Sequence, residues 1–241
     1  MKNLFIAFLV ALSFSSCGGD DSSNGNNSGL SNTPQAKAEF DNSNLGIYKG
    51  VFSGSSGYIT VNVKNNGAIN ATFILDGVNY NFTTTETVSE SGNISNLTFT
   101  SGAMSFDLDI SNNGEVIIAS QLVFPNHPNA TINLVKEYSD LQVRCYEGTF
   151  TGTSSSEPTN GVLNVVTVDN FVTGLAHPSD SEDASFLEGT NQNNSLSGTY
   201  GDQSSGGTFL GQINGNSISG TWQSTNAANP GSGTWSGQRK L

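Results

Sequence analysis

From Leu45 onward, apolar and polar residues alternate with a period of two rather than 3.6, the signature of strands with one wet and one buried face. Tyr58–Val63, Ala71–Leu75, Val78–Phe82, Leu97–Phe99, Met104–Ile110 and Val116–Ala119 are short β-prone runs. Asn66-Gly67, Asp76-Gly77, Gly92-Asn93 and Asn113-Gly114 separate them. Asn-Gly and Asp-Gly tolerate the positive φ angles of tight hairpins, whose twist suits antiparallel strands. The pattern predicts an all-β antiparallel meander.

A second copy of the pattern follows the first. Tyr48-Lys49-Gly50-Val51-Phe52-Ser53-Gly54 returns as Tyr146-Glu147-Gly148-Thr149-Phe150-Thr151-Gly152, with Tyr, Gly, Phe and Gly in step. Ser105–Ile118 corresponds loosely to Thr208–Trp222, and Ala130–Lys136 to Ser232–Lys240. This predicts two duplicated Gly-rich lobes, residues 45–138 and 139–241, each a small barrel or sandwich. Residues two apart share a strand face, so rings and glycines alternate on one face of each motif. Ile218, Gly220 and Trp222 do the same, and Trp235 lies between Gly233 and Gly237. Glycines permit sharp bends while aromatic rings fill the concave side of a strongly curved sheet.

The N-terminus reads differently. Lys2 precedes an apolar run from Leu4 to Phe14 that is too short to cross a bilayer as a helix and has the layout of a secretory signal. Phe14-Ser15-Ser16-Cys17 resembles the lipobox of bacterial lipoproteins, and Gly18-Gly19-Asp20-Asp21 resembles the acidic export tract of Bacteroidota lipoproteins that reach the cell surface. The resemblance implies a signal peptide over residues 1–16, acylation of Cys17, and export directed by Asp20 and Asp21. Its destination is the outer membrane, with the protein lipid-anchored and facing the exterior. Several acyl chains on one cysteine anchor a protein firmly. Residues 17–44, rich in Ser, Asn and Gly, are expected to form a lipidated flexible tether with a mean reach of about 29 Å.

Composition narrows the function. Charged residues make up only 12% of the chain, so polarity comes from Ser, Thr and Asn, as in extracellular β proteins. A net charge of −12 argues against nucleic acid as a partner. With Cys17 acylated, Cys145 has no partner for an internal disulfide. It sits in a β-prone run without a local histidine and reads as a packing residue rather than a nucleophile. His127 and His177 each precede proline, at loops or strand ends, and lack the company of a zinc site. Asp180, Glu182 and Asp183 are a weak calcium candidate whose simpler reading is a solvated acidic loop. No cofactor is implied.

Tyr58, Tyr80, Tyr200, Trp222 and Trp235 are the candidates for a sugar-stacking platform. The expected function is a non-enzymatic, surface-anchored module binding a glycan or an envelope protein. The alternatives are a glycan hydrolase using paired carboxylates and a structural subunit of an envelope assembly.

Overall fold

The computed structural model describes residues 29–153, 160–181, 183–202, 206–225 and 230–241. Cys17, Asp20, Asp21 and Glu182, which carry the lipidation, export and part of the calcium expectations, lie outside the described residues.

The described chain is all-β, in two eight-stranded antiparallel meanders. Lobe 1 comprises β1 (Gly46–Phe52), β2 (Gly57–Val63), β3 (Ile69–Leu75), β4 (Val78–Thr83), β5 (Ile94–Ser101), β6 (Met104–Ser111), β7 (Val116–Val123) and β8 (Ile132–Glu137). Lobe 2 comprises β9 (Arg144–Thr153), β10 (Asn160–Val168), β11 (Phe171–Pro178), β12 (Ser185–Gln192), β13 (Ser195–Tyr200), β14 (Gly207–Asn214), β15 (Ser217–Ser224) and β16 (Ser232–Arg239). Each β-prone run named from the sequence falls within a strand. The first strand of each lobe pairs with its last, β1 with β8 and β9 with β16, so strand order repeats along with the Tyr-x-Gly-x-Phe motif.

The lobes close differently. Lobe 2 is a closed barrel. Lobe 1 runs β7-β6-β5-β4-β3-β2-β1-β8 without a ladder between β7 and β8, and only Thr83 and Thr100 pair between β4 and β5. Each lobe buries its own core. In lobe 1 Phe73, Phe82, Phe99 and Phe106 stand inward from four successive strands, with Phe52 5.1 Å from Phe73 and Phe99 stacked 5.0 Å from Phe106. Fully burying each such ring contributes about 1.5–3 kcal/mol.

Lobe 2 instead has an inward glycine on every strand. Four cross-strand pairs, Gly189 with Gly198, Gly211 with Gly220, Gly152 with Gly233 and Gly148 with Gly237, bring adjacent backbones together without side chains between them. Rings from neighbouring strands lie over this bare backbone. A Cβ on Gly161 would come 2.6 Å from Phe150 Cε1, and one on Gly198 would come 2.8 Å from Phe209 Cε1. Trp222 covers Gly152 and Gly233, while Trp235 covers Gly211 and Gly220. The glycines thus make space for rings as well as permitting curvature.

A dry seam joins the lobes. Val51, Val143, Cys145, Val166 and Leu175 form a buried cluster. Asn164 donates from Nδ2 to the carbonyls of Phe52 (2.7 Å) and Ser55 (2.9 Å). At its margin the Lys49 ammonium lies 2.6 Å from Glu137 Oε1, and the two side chains are only 4% and 0% exposed.

The expectation of a flexible tether is corrected for residues 31–44. This stretch is a strap docked across one end of both lobes, with a single helical turn at Ala38–Phe40. Its backbone N–H groups donate from Gln35 to Glu137 Oε2 (2.9 Å) and from Lys37 to Asn65 Oδ1 (2.9 Å). Composition suggested disorder because the strap has few apolar residues; it is held by polar bonds to partners distant in sequence.

Candidate functional site

Two inward cations hold the strap, and they occupy matching places in the repeat. Lys136 pairs in register with Tyr48, and Arg239 pairs with Tyr146, the first residue of each repeated motif. Lys136 Nζ donates to the carbonyls of Phe40 (2.9 Å), Asp41 (3.2 Å), Ser43 and Asn113 (2.8 Å). Desolvation lowers its pKa to about 8, with Asp41 acting in the opposite direction. Arg239 donates to the Ser31 carbonyl and to Asn32 Oδ1. The N-terminal side of the described chain is therefore fixed to the lobe ends that carry Lys136 and Arg239.

The structure disperses the five aromatic candidates. Trp235 is 6% exposed in the core of lobe 2, and its indole N–H donates to the Thr221 carbonyl at 3.1 Å. Tyr58 is half-buried against the seam, where burial raises its pKa, reinforced by Glu147 and Cys145. Tyr80 packs on the phenylalanine core of lobe 1, opposite Phe73. Only Tyr200 and Trp222 come together, joined by Phe150 at the barrel end remote from the strap. Trp222 meets Tyr200 at 6.0 Å and Phe150 at 6.4 Å, both edge to face. Its N–H donates to the Thr151 carbonyl at 3.1 Å. The trio is interlocked and half-buried.

Other candidates separate in the same way. Asp180 and Asp183 are exposed beyond β11, where Ser181 Oγ bonds the backbone of Asp183 at 3.1 Å, and no metal-binding group of side chains forms among the described residues. His127 sits in a lobe 1 loop, its Nε2 4.0 Å from Asp76 Oδ2, while His177 belongs to β11 of the other lobe. Cys145 is fully buried, and burial pushes its thiol pKa up to about 12, the reverse of what a nucleophile needs.

Among the described residues, lobe 2 carries a groove of about 550 Å³. Thr151, Thr208, Leu210, Thr221, Gln223, Ser232 and Thr234 line it beside Trp222, Gly152 and Gly233. Strand register builds it from two cross-strand rows. Leu210, Thr221, Thr234 and Thr151 form one, and Thr208, Gln223 and Ser232 form the other. Within the first row, the Thr151 and Thr234 hydroxyls lie 3.3 Å apart. Leu210 is 62% exposed.

Every described lining residue is uncharged, so the groove offers hydroxyl and amide hydrogen bonds beside two apolar side chains, Leu210 and Trp222. β16 fixes its position relative to the strap: Ser232 at the start of the strand lines the groove, and Arg239 at its end grips the strap. Those ends are about 23 Å apart at ordinary strand rise.

The aromatic search misses these residues because threonines on the wet side of a strand look alike in sequence. One signal was present. Phe209-Leu210 breaks the alternation of β14 and puts an aliphatic side chain outward.

Compared with known proteins, the chain matches no family model and no curated sequence.

Proposed function

We propose that this protein is a surface-anchored, non-enzymatic lipoprotein whose second lobe binds a glycan. The observation that carries the reading is the uncharged, hydroxyl-lined groove at the end of lobe 2 opposite the docked strap. Sugars are recognised by dense hydrogen bonding with a few apolar contacts, which this lining supplies. A glycan hydrolase would need two carboxylates about 5–10 Å apart across a cleft. None of the described residues lining this groove is a carboxylate, which favours binding over hydrolysis. The chain preceding the strap leads to Cys17, so acylation there would attach the membrane on the strap side and leave the groove facing outward.

On β13 and β16 the lobe 2 barrel does not present the apolar outward band that a membrane-spanning barrel requires. In lobe 2 the outward residues of β13 and β16 are Ser195, Ser197, Thr199, Ser232, Thr234, Ser236 and Gln238. Attachment through a lipid fits such a surface.

Three experiments test the reading. Cys17→Ala should abolish acyl labelling and release the protein from the membrane fraction; retention in membranes would refute the anchor. Asp20→Ala with Asp21→Ala should reduce protease accessibility on whole cells while leaving acylation intact. A glycan array probed with the detergent-extracted protein tests the binding itself, and a blank array would remove the glycan reading.

A further inference from the structure

We infer that the groove on lobe 2 takes an internal segment of a neutral polysaccharide, rather than a chain end or an acidic glycan. The inference rests on the glycan-binding reading above and adds the class of ligand and the way it lies. Three observations carry it.

The first is shape. The lining residues come from four neighbouring strands, β14, β15, β16 and β9; seven of the ten face outward, and the inward Gly152, Gly233 and Trp222 complete the lining at the barrel end. Three strand spacings make the floor about 14 Å wide, room for a short run of sugar rings. The barrel core beneath is filled. Within it, the cavity bounded by Leu163, Val165, Val172, Leu187, Leu196, Phe209 and Trp235 is only about 10 Å³, too small for a sugar ring. A ligand therefore lies across the strands and does not enter the barrel end first. Among the described residues the lining forms a floor across four strands, along which a chain can lie.

The second is charge. Among the described residues the lining carries no cationic side chain that could pair with a uronate, sulfate or phosphate group. The chain as a whole has 20 acidic against 8 basic residues. Polyanions are repelled at long range and find no compensating cation in the groove.

The third is the donor and acceptor pattern. Rows of hydroxyls, with Gln223 between Thr208 and Ser232, can both donate to and accept from sugar hydroxyls. Leu210, standing outward among them, supplies the apolar patch on which the C–H face of a pyranose rests.

The test uses the acylated full-length protein extracted in detergent. Affinity electrophoresis and calorimetry would be run against neutral polysaccharides (mannan, galactan, xyloglucan, laminarin) and anionic ones (alginate, polygalacturonate). Retention by at least one neutral polymer and none of the anionic ones is expected. For the polymer that binds, affinity per sugar should be the same for long and short chains, and a hexasaccharide should bind at least tenfold more tightly than the disaccharide. Leu210→Asp and Thr221→Glu, both on the exposed face, should each weaken binding at least tenfold. Gln212→Glu, on the same face but outside the groove, should leave binding within twofold. Unchanged thermal melting would show that all three variants are folded.

Affinity that falls in proportion to chain length would mean chain-end recognition and would overturn the inference, as would preferential retention by an anionic polymer. Binding that ignores Leu210→Asp and Thr221→Glu would place the glycan elsewhere and also overturn it. Each of those outcomes leaves the glycan-binding reading standing. No retention by any polymer, with a blank glycan array, would remove both.

Discussion

The two lobes share a strand order and a motif but solve the barrel problem with different residues. Lobe 1 fills its interior with phenylalanines from β3 to β6 and leaves β7 and β8 unladdered. Its strand path also breaks register twice, between Ile94 and Leu97 and between Ser105 and Asp107. Lobe 2 pairs glycines across its strands, lays indoles and phenyls over them, and closes completely.

The difference follows from volume. Six buried phenylalanines demand a wide interior that this strand path does not close around, whereas removing side chains from one face lets eight strands curve into a tight ring. Closure has a functional consequence. It ladders β15 to β16 and so sets β14 and β15 beside β16 and β9, the four strands of the groove; the corresponding junction in lobe 1, between β7 and β8, has no ladder. The two lobes nevertheless act on one strap, each contributing an inward cation opposite its motif tyrosine.

Several perturbations would break or sharpen this contrast. The largest should come from the seam. Glu137→Ala strands Lys49 in a buried site and removes an acceptor from Gln35 and Val143. Loss of one partner of a buried pair costs about 3–5 kcal/mol. Calorimetry should then resolve two transitions, one per lobe; a single unshifted transition would show that this pair does not hold the lobes together.

Next is Trp235→Ala, expected to cost about 3–5 kcal/mol because it empties the middle of the closed barrel. Trp222→Ala should cost less, since that ring is half-buried. Both tryptophans of the chain lie in lobe 2, so their fluorescence follows that lobe alone in a urea titration. Equal losses would contradict their different depths.

Gly211→Ala should destabilise lobe 2 by about 1–3 kcal/mol, because the new methyl overlaps the Trp235 ring. An alanine there that leaves the urea midpoint unchanged would refute the spacing role assigned to these glycines.

The smallest effect is one of pH. The Cys145 thiol ionises at 9.0 in the reference state and is held up to about 12 by burial in the seam. Between these values the folded protein retains a proton that the unfolded chain releases. Its contribution is therefore complete below pH 9 and falls as the pH rises through 12. The loss amounts to about 1.4 kcal/mol at pH 10. Urea midpoints at pH 8 and pH 10 should thus fall further for the wild type than for Cys145→Ala; parallel falls would show that the seam opens to solvent.

Much of this architecture was legible in the chain. Alternation in Tyr58–Val63 and Met104–Ile110, Asn-Gly and Asp-Gly at the turns, and the recurrence of Tyr48-x-Gly-x-Phe at Tyr146 are local facts that determine strands, hairpins and two lobes. Period and turn chemistry act over a few residues and need no tertiary partner to be read. Ring-and-glycine parity also announced a curved interior, although the pairing of each ring with the glycines beneath it depended on register across strands.

Tertiary structure decided the rest. The strap has the composition of a loose linker, and Lys136, Arg239, Glu137 and Asn65, all remote in sequence, hold it down. Tyr58, Tyr80 and Trp235 have the chemistry of a sugar platform, and packing buries or half-buries them. The groove is made of threonines that no local pattern distinguishes. It exists because barrel closure aligns Leu210, Thr221, Thr234 and Thr151, residues that strand pairing makes neighbours though the chain sets them far apart.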